Sequence, residues 1–207
     1  MCIGIAAIKK FPSKEFLERS AEQNTHGAGV AWLEDGQVHW KKGIQKLEEV
    51  YEYEAKGPPW LIHFRIATVG GMNPYLCHPF PVTKSCSLDL EGKTDQVLIH
   101  NGHWALWRDT CIRSLERGDA VPAGPWSDTR AMAWLSSLYG TGLLELINEK
   151  VAVMKSNGEV DFFGDGWVNF DEGNIFATYN PFTRGKTMYS RGETSPQYCL
   201  GKTYEFE

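Results

Sequence analysis

The segment GAGVAWLEDGQVHWKKG, residues 27–43, leaves little choice of conformation. Two stretches that read as strands, the second alternating polar and apolar residues in QVHWK, are separated by Glu34-Asp35-Gly36. Alternation with a period of two sends one side chain inward and the next outward, as in a strand with one buried face. Asp-Gly supplies the positive φ that a tight reversal needs. An antiparallel hairpin follows, and its apolar face must be buried against something.

The rest of the chain alternates in kind. CIGIAAI, at residues 2–8, is apolar throughout and reads as a buried strand. PSKEFLERSAEQN reads as a helix, with Pro12 at its start, Ser13 as cap and Phe16, Leu17 and Ala21 on one face. IQKLEEVYEYEA is a second helix, stopped by Gly57-Pro58-Pro59. WLIHFRIAT is a strand. Residues 70–96, rich in Gly, Pro and Ser, are expected to form one long irregular functional loop. QVLIHNGHWAL is a strand that runs into a turn at Asn101-Gly102. SDTRAMAWLSSLY is a helix capped by Ser127, and GLLELINE is another. KVAVMKSNGEVDFFG is a hairpin turning at Asn157-Gly158, and WVNFDEGNIFATYN adds strand. The tail from about residue 180 has no clear period. The order predicts one α+β domain over residues 1–207, with two sheets between helix layers.

With 207 residues the chain can bury a core without disulfides or metals. Its five cysteines are odd in number and show no C-x-x-C spacing, which points to a reducing compartment. The six histidines have no paired metal-ligand spacing, so no metal or other cofactor is expected. A net charge of -5 advertises neither a nucleic-acid nor a membrane surface. The opening residues have no basic region and no apolar run is long enough to span a bilayer, so a cytoplasmic protein is expected.

Four places carry possible chemistry. By itself Cys2 reads as a small hydrophobe in the first strand. Removal of Met1 would instead leave it with a free α-amine of pKa roughly 7.7–8.0, a nucleophile with its own general base. Arg65 in HFRIATVGG ends an apolar strand; a buried guanidinium there needs an anion, either an internal carboxylate or a substrate's. Asn101-Gly102 in VLIHNGHW is either a hairpin turn or an oxyanion hole built from a side-chain amide and a backbone N–H. Asp128 in WSDTRAMAWL is either part of a helix cap or a partner for a substrate ammonium group. Arg65 and Asp128 together would hold a free amino acid by both charged ends.

Taken in order, Cys2, HFRIATVGG, HPF at 78–80, HNG at 100–102 and SDT at 127–129 resemble the class II glutamine amidotransferases, which are N-terminal nucleophile hydrolases. NTHGAGVAW at 24–32 is similar to that family's Gly-rich segment. The match is strongest over residues 1–135, extends to about 180, and is nearest to the short stand-alone members. The resemblance implies a four-layer αββα sandwich with Cys2 at the end of a central strand. It makes Cys2 the nucleophile and its α-amine the base, with Asn101 and Gly102 as oxyanion hole. Arg65 and Thr68 would bind the substrate carboxylate side and Asp128 the α-ammonium. The implied reaction is hydrolysis of the glutamine side-chain amide through a thioester, with ammonia passing to a separate synthase or ligase.

Two positions depart from the family's pattern: His26 stands where an acidic residue often precedes the Gly, and Val69 where some members carry His. The readings beside the first are an N-terminal nucleophile amidohydrolase acting on another γ-glutamyl or acyl amide, and a non-catalytic binding module that keeps the fold.

Overall fold

The computed structural model describes residues 2–67 and 71–183. Met1, Thr68, Val69 and the tail from residue 184, with Cys199, lie outside the described residues. The chain begins with strand β1 (Ile3–Ala7), helix α1 (Lys14–Gln23) and the hairpin of β2 (Ala28–Glu34) and β3 (Gln37–Ile44). Asp35 and Gly36 make the hairpin turn with φ of 51° and 72°, the left-handed pair that fits a two-residue reversal. The second helix is shorter than its periodicity predicts. Its α-helical part, α2 (Leu47–Tyr51), passes into a 3-10 turn over Glu52–Lys56 that ends at Gly57. Then come β4 (Trp60–Phe64), β5 (Phe80–Pro81), β6 (Glu91–Thr94) and β7 (Gln96–Asn101). Helices α3 (Trp107–Glu116), α4 (Asp128–Tyr139) and α5 (Leu144–Ile147) lead to β8 (Lys150–Lys155), β9 (Val160–Phe163), β10 (Val168–Phe170) and β11 (Ile175–Ala177).

The strands make two sheets. Seven are ordered β10-β11-β1-β4-β2-β3-β6 and four are ordered β5-β7-β8-β9, all paired antiparallel. The mixed α+β class read from the sequence is borne out. The expected loop over 70–96 is corrected: it contributes an edge strand to each sheet, β6 to the larger and β5 to the smaller.

Three cores hold these elements. Phe16 and Leu17 of α1 and Val50 of α2 pack with Ile3, Ile5, Val30, Ile62 and Phe64 on one face of the larger sheet. Ala6, Ala31, Trp40 and Leu61 meet Val97, Ile99, Ala152 and Met154 between the sheets. Leu98, Val151 and Val153 of the smaller sheet pack with Met132, Trp134 and Leu135 of α4 and with Trp107 and Cys111 of α3. Burial of a side chain such as Ile62 or Leu98 stabilises by about 1.5–3 kcal/mol each. The sheets touch where β1 crosses β7, since a Cβ on Gly4 would lie 3.1 Å from Ile99 Cδ1. That contact brings the start of β1 near the end of β7.

Candidate active site

Cys2 precedes β1 and is half-buried. The antiparallel register pairs Ile3 with Phe64, so Cys2 falls beside the residues that follow β4. One residue there holds the sulfur from both sides: Cys2 Sγ donates to Ile66 O at 3.3 Å and accepts from Ile66 N at 3.4 Å. Burial pushes the Cys2 thiol above its ordinary pKa; the Ile66 hydrogen bond and the Arg65 charge pull the other way.

Arg65 leaves β4 still bound to the neighbouring chain, its N–H donating to Gly27 O at 2.9 Å. Its side chain is only 4 % exposed, and Nη1 donates to Gly71 O at 2.7 Å. Burial lowers its pKa, and Cys77, Cys2 and Asp128 counter that. A guanidinium stays charged under such a shift.

Asp128 opens α4. Ser127 is the cap, accepting from Arg130 N at 3.2 Å, as the sequence predicts. Asp128 Oδ1 then accepts from Thr129 N at 2.9 Å, and Oδ2 from Trp104 N at 3.3 Å. Arg130 fixes the helix start from beneath by donating to Cys86 O, Pro125 O and Ala123 O. The Asp128 carboxylate is thereby held against solvent-facing rotation, with a tenth of its side chain still exposed.

Asn101 and Gly102 do not form the hairpin turn that their sequence also permits. The chain continues into α3, and the strand opposite Asn101 is supplied by Lys150 of β8. Asn101 is buried and its Oδ1 has no hydrogen-bond partner among the described residues.

A small open cleft is lined by Cys2, Arg65, Gly102 and Asp128, four residues from four separate stretches of the sequence. Asn101 is adjacent in sequence but not among the lining residues, and Thr68 lies outside the described residues. Five further lining residues carry no predicted role: Ile66, Leu76, His78, His100 and Thr129. The histidines are visible in the sequence only as parts of HPF and HNG. His100 Nδ1 lies 3.0 Å from Thr129 Oγ1, while its buried Nε2 has no hydrogen-bond partner among the described residues. Burial holds both imidazoles neutral: His78 is pushed well below the usual histidine value, with His63 adding to the effect, and His100 is lowered against the opposing pull of Asp128. The arrangement pairs a fixed sulfur with a buried cation and a buried carboxylate, a set suited to a small zwitterion. No group of His, Cys, Asp and Glu among the described residues forms a metal cluster.

No protein-family model matches the sequence, and no match is found among curated proteins. Among solved structures the chain is similar to the glutamine phosphoribosylpyrophosphate amidotransferase of B. subtilis, complexed with ADP and GMP. The two are 18% identical, with a TM-score of 0.55 over 85% of this chain. The chain spans 40% of the length of that protein. At the level of fold the resemblance to class II glutamine amidotransferases stands. No helix among the described residues is long and apolar enough to cross a membrane.

Proposed function

We propose that the cleft hydrolyses the side-chain amide of free glutamine, with Cys2 as nucleophile. The observation that carries this reading is the convergence of Cys2, Arg65, Gly102 and Asp128 on one small cleft. Arg65 binds the α-carboxylate and Asp128 the α-ammonium, so the substrate's amide end is directed toward the sulfur. Removal of Met1 frees the Cys2 α-amine, which takes the thiol proton as Sγ attacks the amide carbon. The Gly102 N–H and the Asn101 amide stabilise the oxyanion, and a rotation of Asn101 completes the pair. The tetrahedral intermediate collapses as the amine returns its proton to the leaving nitrogen, and ammonia departs. Water then cleaves the thioester to glutamate and regenerates the thiol.

The three cores support a four-layer αββα order as the frame for this chemistry. Ammonia released into water at neutral pH protonates, so productive transfer needs a second enzyme docked over the cleft. The likeness to an amidotransferase of which this chain spans 40% supports that reading. A soluble cytoplasmic setting fits it, as the thiol must stay reduced.

The test is glutamate release from glutamine by the processed chain, with and without a glutamine-like electrophile that alkylates thiols. The expected result is activity that disappears as one label is added, on Cys2. Processed protein that neither takes the label nor releases glutamate overturns the reading. Release from γ-glutamyl amides but not from glutamine moves it to the wider amidohydrolase class.

A further inference from the structure

Three successive amides follow β4, and they alternate between the two neighbouring strands. Arg65 N donates to Gly27 O on one side, Ile66 N to the Cys2 sulfur on the other, and Ala67 N returns to the first side. There the Ala67 N–H meets a side chain instead of a backbone carbonyl: it donates to His26 Nδ1 at 2.9 Å. His26 is itself fixed at both ends of its residue. Its N–H donates to Arg65 O at 2.9 Å, and its carbonyl accepts from Cys77 Sγ at 3.7 Å. Two peptides therefore meet the sulfur: the Arg65–Ile66 peptide, which gives it a donor, is pinned through Arg65 O by the His26 backbone, and the Ile66–Ala67 peptide, which gives it an acceptor, is pinned through Ala67 N by the His26 imidazole.

We propose that His26 is a positioning residue for Cys2: its imidazole stands in for the missing ladder carbonyl and keeps the Ile66 carbonyl turned toward the sulfur. The inference rests on the reading of Cys2 as nucleophile. Accepting at Nδ1 requires a neutral ring with its proton on Nε2. Burial and the nearby Arg65 charge both lower the His26 pKa and favour that form. This gives a physical use to a residue that stands outside the family pattern.

The substitution series separates position from polarity. In His26→Asn the side-chain oxygen reaches the place of Nδ1; in His26→Gln it reaches the place of Nε2; His26→Leu has no acceptor. The first readout is the pH midpoint of Cys2 alkylation by iodoacetamide, followed on the Cys2 peptide by mass spectrometry. Arg65 and Asp128, the other side chains whose charges act on Cys2, are common to all four proteins. His26→Gln and His26→Leu are expected to lower the midpoint by about one unit, because the Ile66 carbonyl no longer accepts from the thiol and the neutral form loses that hydrogen bond. His26→Asn is expected to keep the wild-type midpoint. The second readout is glutamate release, where His26→Gln and His26→Leu should lose about tenfold in kcat with KM nearly unchanged.

A wild-type midpoint in His26→Leu overturns the proposal, as does a His26→Asn protein that shifts as far as His26→Gln. Should His26→Leu fail to fold, the contrast of Asn with Gln decides alone. If the wild-type protein releases no glutamate, the glutamine reading fails, and the alkylation midpoints still decide the role of His26.

Discussion

A methyl group on Gly102 would meet the Glu149 carboxylate. A Cβ built there lies 1.8 Å from Glu149 Oε2 and 3.0 Å from His100 Nε2. For a methyl group to fit, the Glu149 carboxylate must swing aside or the chain leaving β7 must shift. Gly102→Ala is expected to lower kcat about 100-fold, the size of effect seen when one oxyanion donor is lost. Adding Glu149→Ala removes the nearer obstacle, so the double variant is expected to regain about tenfold, a non-additivity of contacting residues. Steady-state kinetics on the three proteins measures both. An unimpaired Gly102→Ala protein would show that Glu149 swings aside and leaves the residue 102 N–H where it was. At this scale the sequence was legible wherever residue type and order single out a position, as for Cys2, Arg65, Gly102 and Asp128, which meet at one cleft. It was silent on Ile66 holding the sulfur and on His26 holding Ala67. Those contacts join residues 64 and 41 positions apart and depend on strand register.

Helix starts were legible because capping is local chemistry. Ser13 accepts from Phe16 N and Ser127 from Arg130 N, each three residues on. The edge strands β5 and β6 were not. β5 is Phe80–Pro81 and β6 is Glu-Gly-Lys-Thr, so neither carries an apolar alternation. Their pairing comes from partners, Leu98 and Val97 for β5 and Val38 to Lys41 for β6. Such strands suit sheet edges, where proline and charge discourage further pairing. The Ser13 cap gives an element-level test away from the site, since α1 contributes no residue to the cleft. Ser13→Ala is expected to cost about 1 kcal/mol of stability through the lost N-cap bond. Denaturant unfolding should register that cost while kcat and KM stay unchanged. A fall in kcat would mean that α1 communicates with β1 through the Phe16 and Ile3 core.

The whole molecule buries ionisable groups of both kinds, and their balance sets its stability against pH. His63 is pushed down to about 3, by burial first and then Arg65, and His78 and His100 are lowered as well. In the unfolded chain these rings take up protons near pH 6.5, while in the folded chain they stay neutral. Stability is therefore full above 6.5 and drains away as pH falls toward 3. Lys42 acts at the other end. It lies in β3 at 1 % exposure, with Nζ 4.0 Å over the Phe80 ring and no hydrogen bond among the described residues. Burial lowers its pKa to about 8. Between 8 and 10.5 the unfolded chain holds this proton and the folded chain releases it, so stability rises with pH. The buried thiols oppose that rise: Cys86 is pushed up to about 11 and Cys111 to about 12, so above pH 9 the unfolded state gains by ionising them. Urea unfolding is thus expected to show stability climbing from pH 5 to 8 and turning over near 9. Lys42→Met keeps the stem packed on Phe80 and removes the buried charge. It is expected to stabilise the protein at pH 7 by about 1–3 kcal/mol, below the ceiling set by a shift of this size because the ring contact is also lost. The gain should shrink by pH 9.5, where the native lysine is already neutral. A gain of equal size at both pH values would show that packing, and not the buried charge, is what the substitution changes.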